Sequence, residues 1–109
     1  MQELQVNKEN CFSVLMAVYK KEQPLFFKEA LRSVFEQSLI PNEVVLVKDG
    51  PLTEELEQII VDFSSKNEQL KVITLEKNQG LGEALRIGLN ACSFDLVARM
   101  DSDDICKPY

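Results

Sequence analysis

The sequence predicts an α/β fold: a Rossmann-like parallel sheet in strand order 3-2-1-4, flanked by helices. Two observations carry that expectation. Short apolar runs rich in β-branched residues alternate with stretches of helical period along the chain. The joins between them are about four to six residues long, so each helix has to serve as the crossover that a parallel pair needs.

Each element follows from its residues. "FSVLMAVY" (12–19) is a continuous apolar run with branched and aromatic members, a strand buried on both faces. "PLFFKEALRSVFEQS" opens with Pro24 in a first helical turn and sets Phe27, Ala30, Leu31, Val34 and Phe35 on one face. "EVVLV" (43–47) is the second strand, stopped by the turn "KDGP". Thr53 can cap a helix whose first turn carries Glu54 and Glu55, acids suited to its positive end. That helix shows the stripe Leu56, Ile59, Ile60, Phe63. "LKVITL" (70–75) is a third strand, "NQGLG" breaks the chain, "EALRIGLNAC" is a third helix, and "DLVARM" (95–100) is the fourth strand.

Right-handed crossovers turn this order into 3-2-1-4 and open a crevice between strands 1 and 4, beyond the carboxyl ends of the strands. The residues that follow each strand should line it. These are Ala17 to Tyr19 after the first, Asp49 after the second, Asn78 after the third, and Asp101 to Asp104 after the fourth.

Bulk properties narrow the chemistry. The chain has 109 residues, which suits a single domain, and an apolar content of 45% supports a packed core. Residues 1–11 read as a flexible N-terminus and 12–109 as one folding unit. The formal net charge is −6 and no stretch is basic, which argues against nucleic-acid or anionic-membrane binding. There is no histidine, so Ser–His and Cys–His nucleophile pairs are excluded within this chain. Cys11, Cys92 and Cys106 lack metal-site spacing and read as reduced thiols of a cytoplasmic protein. No signal peptide and no apolar run of spanning length is visible.

The fourth exit, "ARMDSDD", brings Asp101, Asp103 and Asp104 into close succession. Two carboxylates about 5 Å apart repel by roughly 3 kcal/mol at an effective dielectric near 20. Either the acids splay into water, one of them capping a following helix, or a hard cation sits among them. In extended backbone Asp101 and Asp103 share a side. Two oxygen donors there suit Mg²⁺ or Mn²⁺, which would bridge an acidic protein to a diphosphate. Other phosphate and cation motifs fit poorly. "GLGEAL" lacks a third glycine and carries Glu83 where phosphate would sit. "DSDDIC" lacks the sixth-position glycine of a calcium loop. A phosphate-receiver domain would want paired acids after its first strand, which here ends in "AVY".

Four segments in order also resemble the family-2 inverting glycosyltransferases of GT-A fold. "FSVLMAVYKKEQPLFFKEALRSVFEQS" looks like the family's opening strand and helix. "VVLVKDG" resembles its V-V-D-D-G-S segment, with Asp49 at the second acid. "NQGLGEALRIGLNAC" is similar to N-x-G-L-x-x-A-L-N-x-G. "ARMDSDDICKP" matches A-R-M-D-A-D-D-x-x-x-P, which contains the D-x-D motif. The departures are Ala17 in place of proline, Lys48 in place of the first acid, and Pro51-Leu52 after the turn. Lys48 could stand near a nucleotide as a cation or face solvent.

The resemblance implies metal-dependent binding of a nucleotide-diphospho-sugar, a UDP-sugar first among them, for transfer to a saccharide or lipid-linked acceptor in surface-polysaccharide assembly. It implies that Ala17, Tyr19, Asp49, Asn78 and Asp101 border the nucleotide, with Asp49 accepting from a base N–H. It assigns the divalent cation to Asp103 first, then Asp101 and Asp104. It puts the catalytic base beyond Tyr109, so residues 12–109 would be a donor-binding segment cut after the D-x-D motif, inactive in transfer alone. The longer protein would be cytoplasmic, with a peripheral place at the inner membrane open to it. A non-catalytic nucleotide-binding module is the alternative. Strand 4, at the sheet edge, is expected to pair with a neighbour, as in a homodimer.

Overall fold

The computed structural model describes residues 11–102. Residues 1–10, on which most of the expected N-terminal stretch falls, and 103–109, which include Asp103 and Asp104, lie outside the described residues. The elements run β1 (Ser13–Val18), α1 (Pro24–Phe35), β2 (Glu43–Lys48), α2 (Glu54–Lys66), β3 (Leu70–Thr74), α3 (Leu81–Ala91) and β4 (Val97–Arg99). The sheet is four-stranded, in order β3-β2-β1-β4, and every pairing is parallel. The expected topology is the observed one.

The central strands are the apolar ones. All six residues of β1 and five of the six in β2 are buried, as parallel strands covered on both faces require. On one face Val14, Met16, Val18, Val44 and Leu46 meet Phe27, Leu31 and Val34 of α1 and Leu56 and Ile60 of α2. Fully burying each large side chain among these contributes about 2 kcal/mol. Phe35 and Phe63 close the seam between the two helices, their rings stacked with centroids 6.0 Å apart. On the other face Leu15, Ala17, Val45 and Val47 pack on α3 around Ala84. Gly88 lets that helix lie close, since a Cβ there would run into Leu15 Cδ1 and stand 2.8 Å from Val47 Cγ2.

The ends of the elements are set locally. Pro24 starts α1 at the position where its missing N–H costs nothing. The Thr53 hydroxyl accepts from Leu56 N at 3.3 Å and caps α2. Most boundaries shift by one to three residues from the periodic reading, and two of the shifts have a visible cause. Helix α3 begins at Leu81, ahead of Glu83, because Gly80 at φ +96° turns the chain directly into it. Strand β4 is only Val97–Arg99, since only Ser13, Val14 and Leu15 of β1 pair with it. Among the described residues no strand covers the outer side of β4, where Leu96 and Ala98 are exposed. No helix of the described residues is long and apolar enough to cross a membrane.

At the amino ends of the strands, away from the crevice, Glu43 is only 2% exposed. Its carboxylate accepts from Ser13 Oγ (2.6 Å), Ser93 N (2.7 Å), Ser93 Oγ (2.9 Å) and Lys71 Nζ (2.5 Å). One side chain thus ties β1, β2, β3 and the α3–β4 connection together. Burial pushes its pKa up, but the bonds from Lys71, Ser13 and Ser93 outweigh it and hold the group down at about 2.

Candidate functional site

Parallel strands send all their exits to one end of the sheet. β1 lies between β2 and β4, so the chain leaves β1 toward one side, reaches β3, and crosses back to β4 on the other. At that reversal a cleft of about 400 Å³ opens, of the size that takes a small ligand. Ala17, Tyr19, Asp49, Asn78 and Asp101, five of the residues expected there from the sequence, line it. They come from four different strand exits.

Asp49 organises the deep part. It is 5% exposed, and its N–H donates to Val18 O at 2.8 Å, extending the β1–β2 ladder by one step. Its carboxylate accepts from the backbone N–H of Gln79 (2.7 Å) and Gly80 (3.2 Å), and its carbonyl accepts from Asn78 Nδ2 (3.2 Å). The acid therefore holds the β3–α3 loop against the end of β2. Gly80 immediately precedes α3, where the helix dipole also favours a negative group. An ionised carboxylate has about four acceptor sites, so two internal bonds leave it able to accept from a ligand as well. The sequence presented Asp49 only as an acceptor toward a base; its role as the anchor of "NQG" comes from the structure.

The rim is built from the β1 and β4 exits. Tyr19 is 42% exposed and lines the cleft. Asp101 is half-exposed and makes a 3.4 Å contact with Arg99, an exposed pair that contributes little stability. Ser102 is buried and its hydroxyl donates to the carboxylate of Glu22. Glu22 is a site residue that the sequence reading missed. It sits among lysines in "YKKEQP", where an acid reads as solvated, and only its place between a strand exit and a helix start hinted otherwise. Leu81, Leu85 and Met100 give the cleft an apolar wall. From the sequence alone Leu85 and Met100 belong to a helix and a strand, and Leu81 to the break before the helix.

Lys48 takes neither of its expected positions. Its side chain is mostly shielded and pairs with Glu57 of α2 at 2.8 Å. It pairs in register with Val18, whose side chain belongs to the α1–α2 face, and so it is turned away from the α3 side.

A divalent cation needs several oxygen donors. Among the described residues no group of three acidic, histidine or cysteine side chains gathers. Asp101 offers one carboxylate at the rim, of the hard-donor type that Mg²⁺ or Mn²⁺ takes. Asp103 and Asp104, expected as the other donors, lie outside the described residues.

Comparisons with known proteins agree with this architecture. A family model described as glycosyl transferase family 2 matches residues 13–109. An Escherichia coli protein named UDP-Gal:alpha-D-GlcNAc-diphosphoundecaprenol beta-1,3-galactosyltransferase is 52% identical over 94 residues, covering 86% of this chain and 34% of its own. The amylovoran biosynthesis glycosyltransferase AmsE of Erwinia amylovora is 45% identical over 97 residues, covering 89% of this chain and 36% of its own. The chain thus spans about a third of the length of these relatives. Among solved structures, S. aureus TarS 1–349 in complex with UDP superposes with a TM-score of 0.76 at 32% identity, over 90% of this chain and 29% of TarS. The Pyrobaculum calidifontis mannosyltransferase PcManGT, solved with GDP-Man and Mn²⁺, shares the fold at a TM-score of 0.74 and 20% identity, over 86% of this chain and 28% of its own. The parallel order β3-β2-β1-β4, the cleft at its reversal and the family match over 13–109 lead to one conclusion: this chain belongs to glycosyltransferase family 2 and forms an N-terminal segment of its GT-A fold.

Proposed function

We propose that this chain binds the donor of a glycosyl transfer: a nucleotide-diphospho-sugar, with UDP as the nucleotide, whose sugar passes to an acceptor hydroxyl. The observation that carries the reading is the convergence of Ala17, Tyr19, Asp49, Asn78 and Asp101 on one cleft at the sheet's reversal. The UDP complex of TarS, at 32% identity, supports the choice of nucleotide.

In this reading each residue has a physical task. Asp49, already fixed by two backbone N–H groups, keeps acceptor capacity for a base N–H. Ala17 has too short a side chain to fill the cleft floor, and Tyr19 flanks the base and ribose with its ring. Asn78, tied to Asp49 O through its amide, borders the same space. Asp101 and Asp103, with Asp104 beside them, would hold Mg²⁺ or Mn²⁺. When bound, that ion supplies Lewis-acid stabilisation of the departing diphosphate. The chain's own contribution is to orient the donor and shield it in an apolar-walled cleft.

The relatives' names support a role in surface-polysaccharide assembly with a saccharide or lipid-linked acceptor. A protein meeting a lipid-linked acceptor would work at the cytoplasmic face of the membrane. The outer edge of β4 supports the further proposal that the segment taken alone pairs that edge with a second copy.

Calorimetry with UDP, with and without Mn²⁺, tests the reading on wild type and Asp103→Ala. Binding that needs the metal and is lost in the variant is the expected result. UDP binding indifferent to chelation, or no binding at all, would overturn it. Turnover of a UDP-sugar by the full protein separates a transferase from a module that only binds.

A further inference from the structure

We propose that Glu22 is a positioning residue for the donor site, acting through Ser102. It latches Ser102, the residue that follows Asp101, and so fixes how the β4 exit meets the cleft. The proposal rests on the nucleotide-sugar reading above.

Ser102 and Asp101 are treated oppositely by the fold. The Asp101 side chain is 52% exposed, whereas Ser102 as a whole is 8% exposed. A buried hydroxyl needs a partner, and here the partner is a carboxylate 80 positions earlier in the chain. A charged acceptor makes the stronger kind of hydrogen bond. Glu22 and Ser102 both line the cleft, from opposite sides of the topological reversal. Their bond therefore ties the β1 exit to the β4 exit in the wall of the cleft.

The latch has a firm side and a weak side. Glu22 N donates to Tyr19 O at 3.0 Å, and Gln23 and Pro24 follow at once as the cap and first residue of α1. That helix is anchored by Phe27, Leu31 and Val34, all fully buried. β4 is the opposite case, a three-residue edge strand whose link to β1 reaches Met100 N to Leu15 O at 2.9 Å. Three register pairs with one neighbour hold β4, so a side-chain tie at Ser102 has a turn to steady. Direct metal ligation by Glu22 is the competing role. The carboxylate of Glu22 already has the Ser102 hydroxyl as its partner, which favours action through Ser102.

The test uses the full chain with UDP and Mn²⁺ as probes, read by calorimetry, and amide exchange at residues 100–102. Ser102→Ala and Glu22→Ala are each expected to weaken Mn²⁺-dependent UDP binding about tenfold, the size of one lost charge-assisted hydrogen bond. The double variant should be no worse than either single one. Glu22→Gln keeps an acceptor oxygen and should stay within about threefold of wild type. Exchange at 100–102 should quicken in both alanine variants before any ligand is added. If Glu22→Gln is as damaging as Glu22→Ala while Ser102→Ala binds normally, Glu22 touches the ion directly and the latch is wrong. Wild-type affinity in all variants overturns it equally. Where Glu22→Ala harms the fold at large, Ser102→Ala, which deletes a single hydroxyl, decides the matter. A wild type that never binds UDP with Mn²⁺ overturns the donor-site reading first, and the latch with it.

Discussion

Gly50 lies so close to Asn78 that a Cβ on it would stand 2.6 Å from the Asn78 backbone nitrogen. Its φ is +92°, in the region that side chains disfavour. The turn after β2 and the loop after β3 are thus in backbone contact, with the Asp49 carboxylate bridging them just beside it. Gly50→Ala should therefore destabilise the protein by roughly 2–4 kcal/mol, through backbone strain and a clash that no rotamer relieves. Denaturant unfolding checks the size. UDP affinity measured below the transition should fall too, because the loop carrying Asn78 is displaced.

Asp49→Asn preserves shape and removes charge. The amide presents a donor on one side, where Gln79 or Gly80 already presents one, so one internal bond is lost whichever way it is flipped. We expect UDP affinity to fall at least tenfold and the amides of Gln79 and Gly80 to exchange faster, by hydrogen-exchange measurement, without ligand present. Unchanged exchange with lost affinity would mean that Asp49 serves the ligand alone.

Glu43 supplies a pH-dependent part of stability. Its folded-state pKa is depressed to about 2 from an ordinary value of 4.5. Its contribution is therefore complete above pH 4.5 and is lost as pH falls from there toward 2. Glu43→Gln should flatten the pH dependence of unfolding free energy in that window. Glu43→Ala should cost about 3 kcal/mol near neutral pH, since Ser13, Ser93 and Lys71 lose their shared acceptor. The cleft is at the other end of the strands, so UDP affinity should hold wherever the variant is folded.

Lys48 and Glu57 form a partly shielded pair, with side chains 15% and 40% exposed. A double-mutant cycle on unfolding should give a coupling of about 1 kcal/mol, at the upper end for surface pairs. Lys48→Met should leave UDP affinity unchanged. A clear loss would return Lys48 to the nucleotide.

The frame was legible in the sequence because it depends on short-range pattern. β1 and β2 are continuous apolar runs, α1 shows its buried face in the spacing of Phe27, Leu31 and Val34, and Thr53 announces α2. Strand exits follow from that frame, so five cleft residues could be named in advance. What was not legible depends on register between distant segments. Glu43 meets Ser13, Lys71 and Ser93 only because β1, β2 and β3 align as they do, and Ser102 finds Glu22 across most of the chain. An acid beside two lysines, or one opening a strand, looks solvated until its neighbours in space are known. The partner of Lys48 is hidden for the same reason, since Glu57 comes from the first turn of α2.

The hydrogen atom that serves as the side chain of Gly88 sets a depth elsewhere. Gly88 is the contact where α3 rests on Leu15 and Val47, and the start of that same helix is the loop that Asp49 grips. A helix is a stiff rod of about 1.5 Å per residue, so raising it at Gly88 tilts its far end, two turns away, off the carboxylate. Bulk added at this remote fulcrum would act on the cleft without touching it, making the pocket shallower.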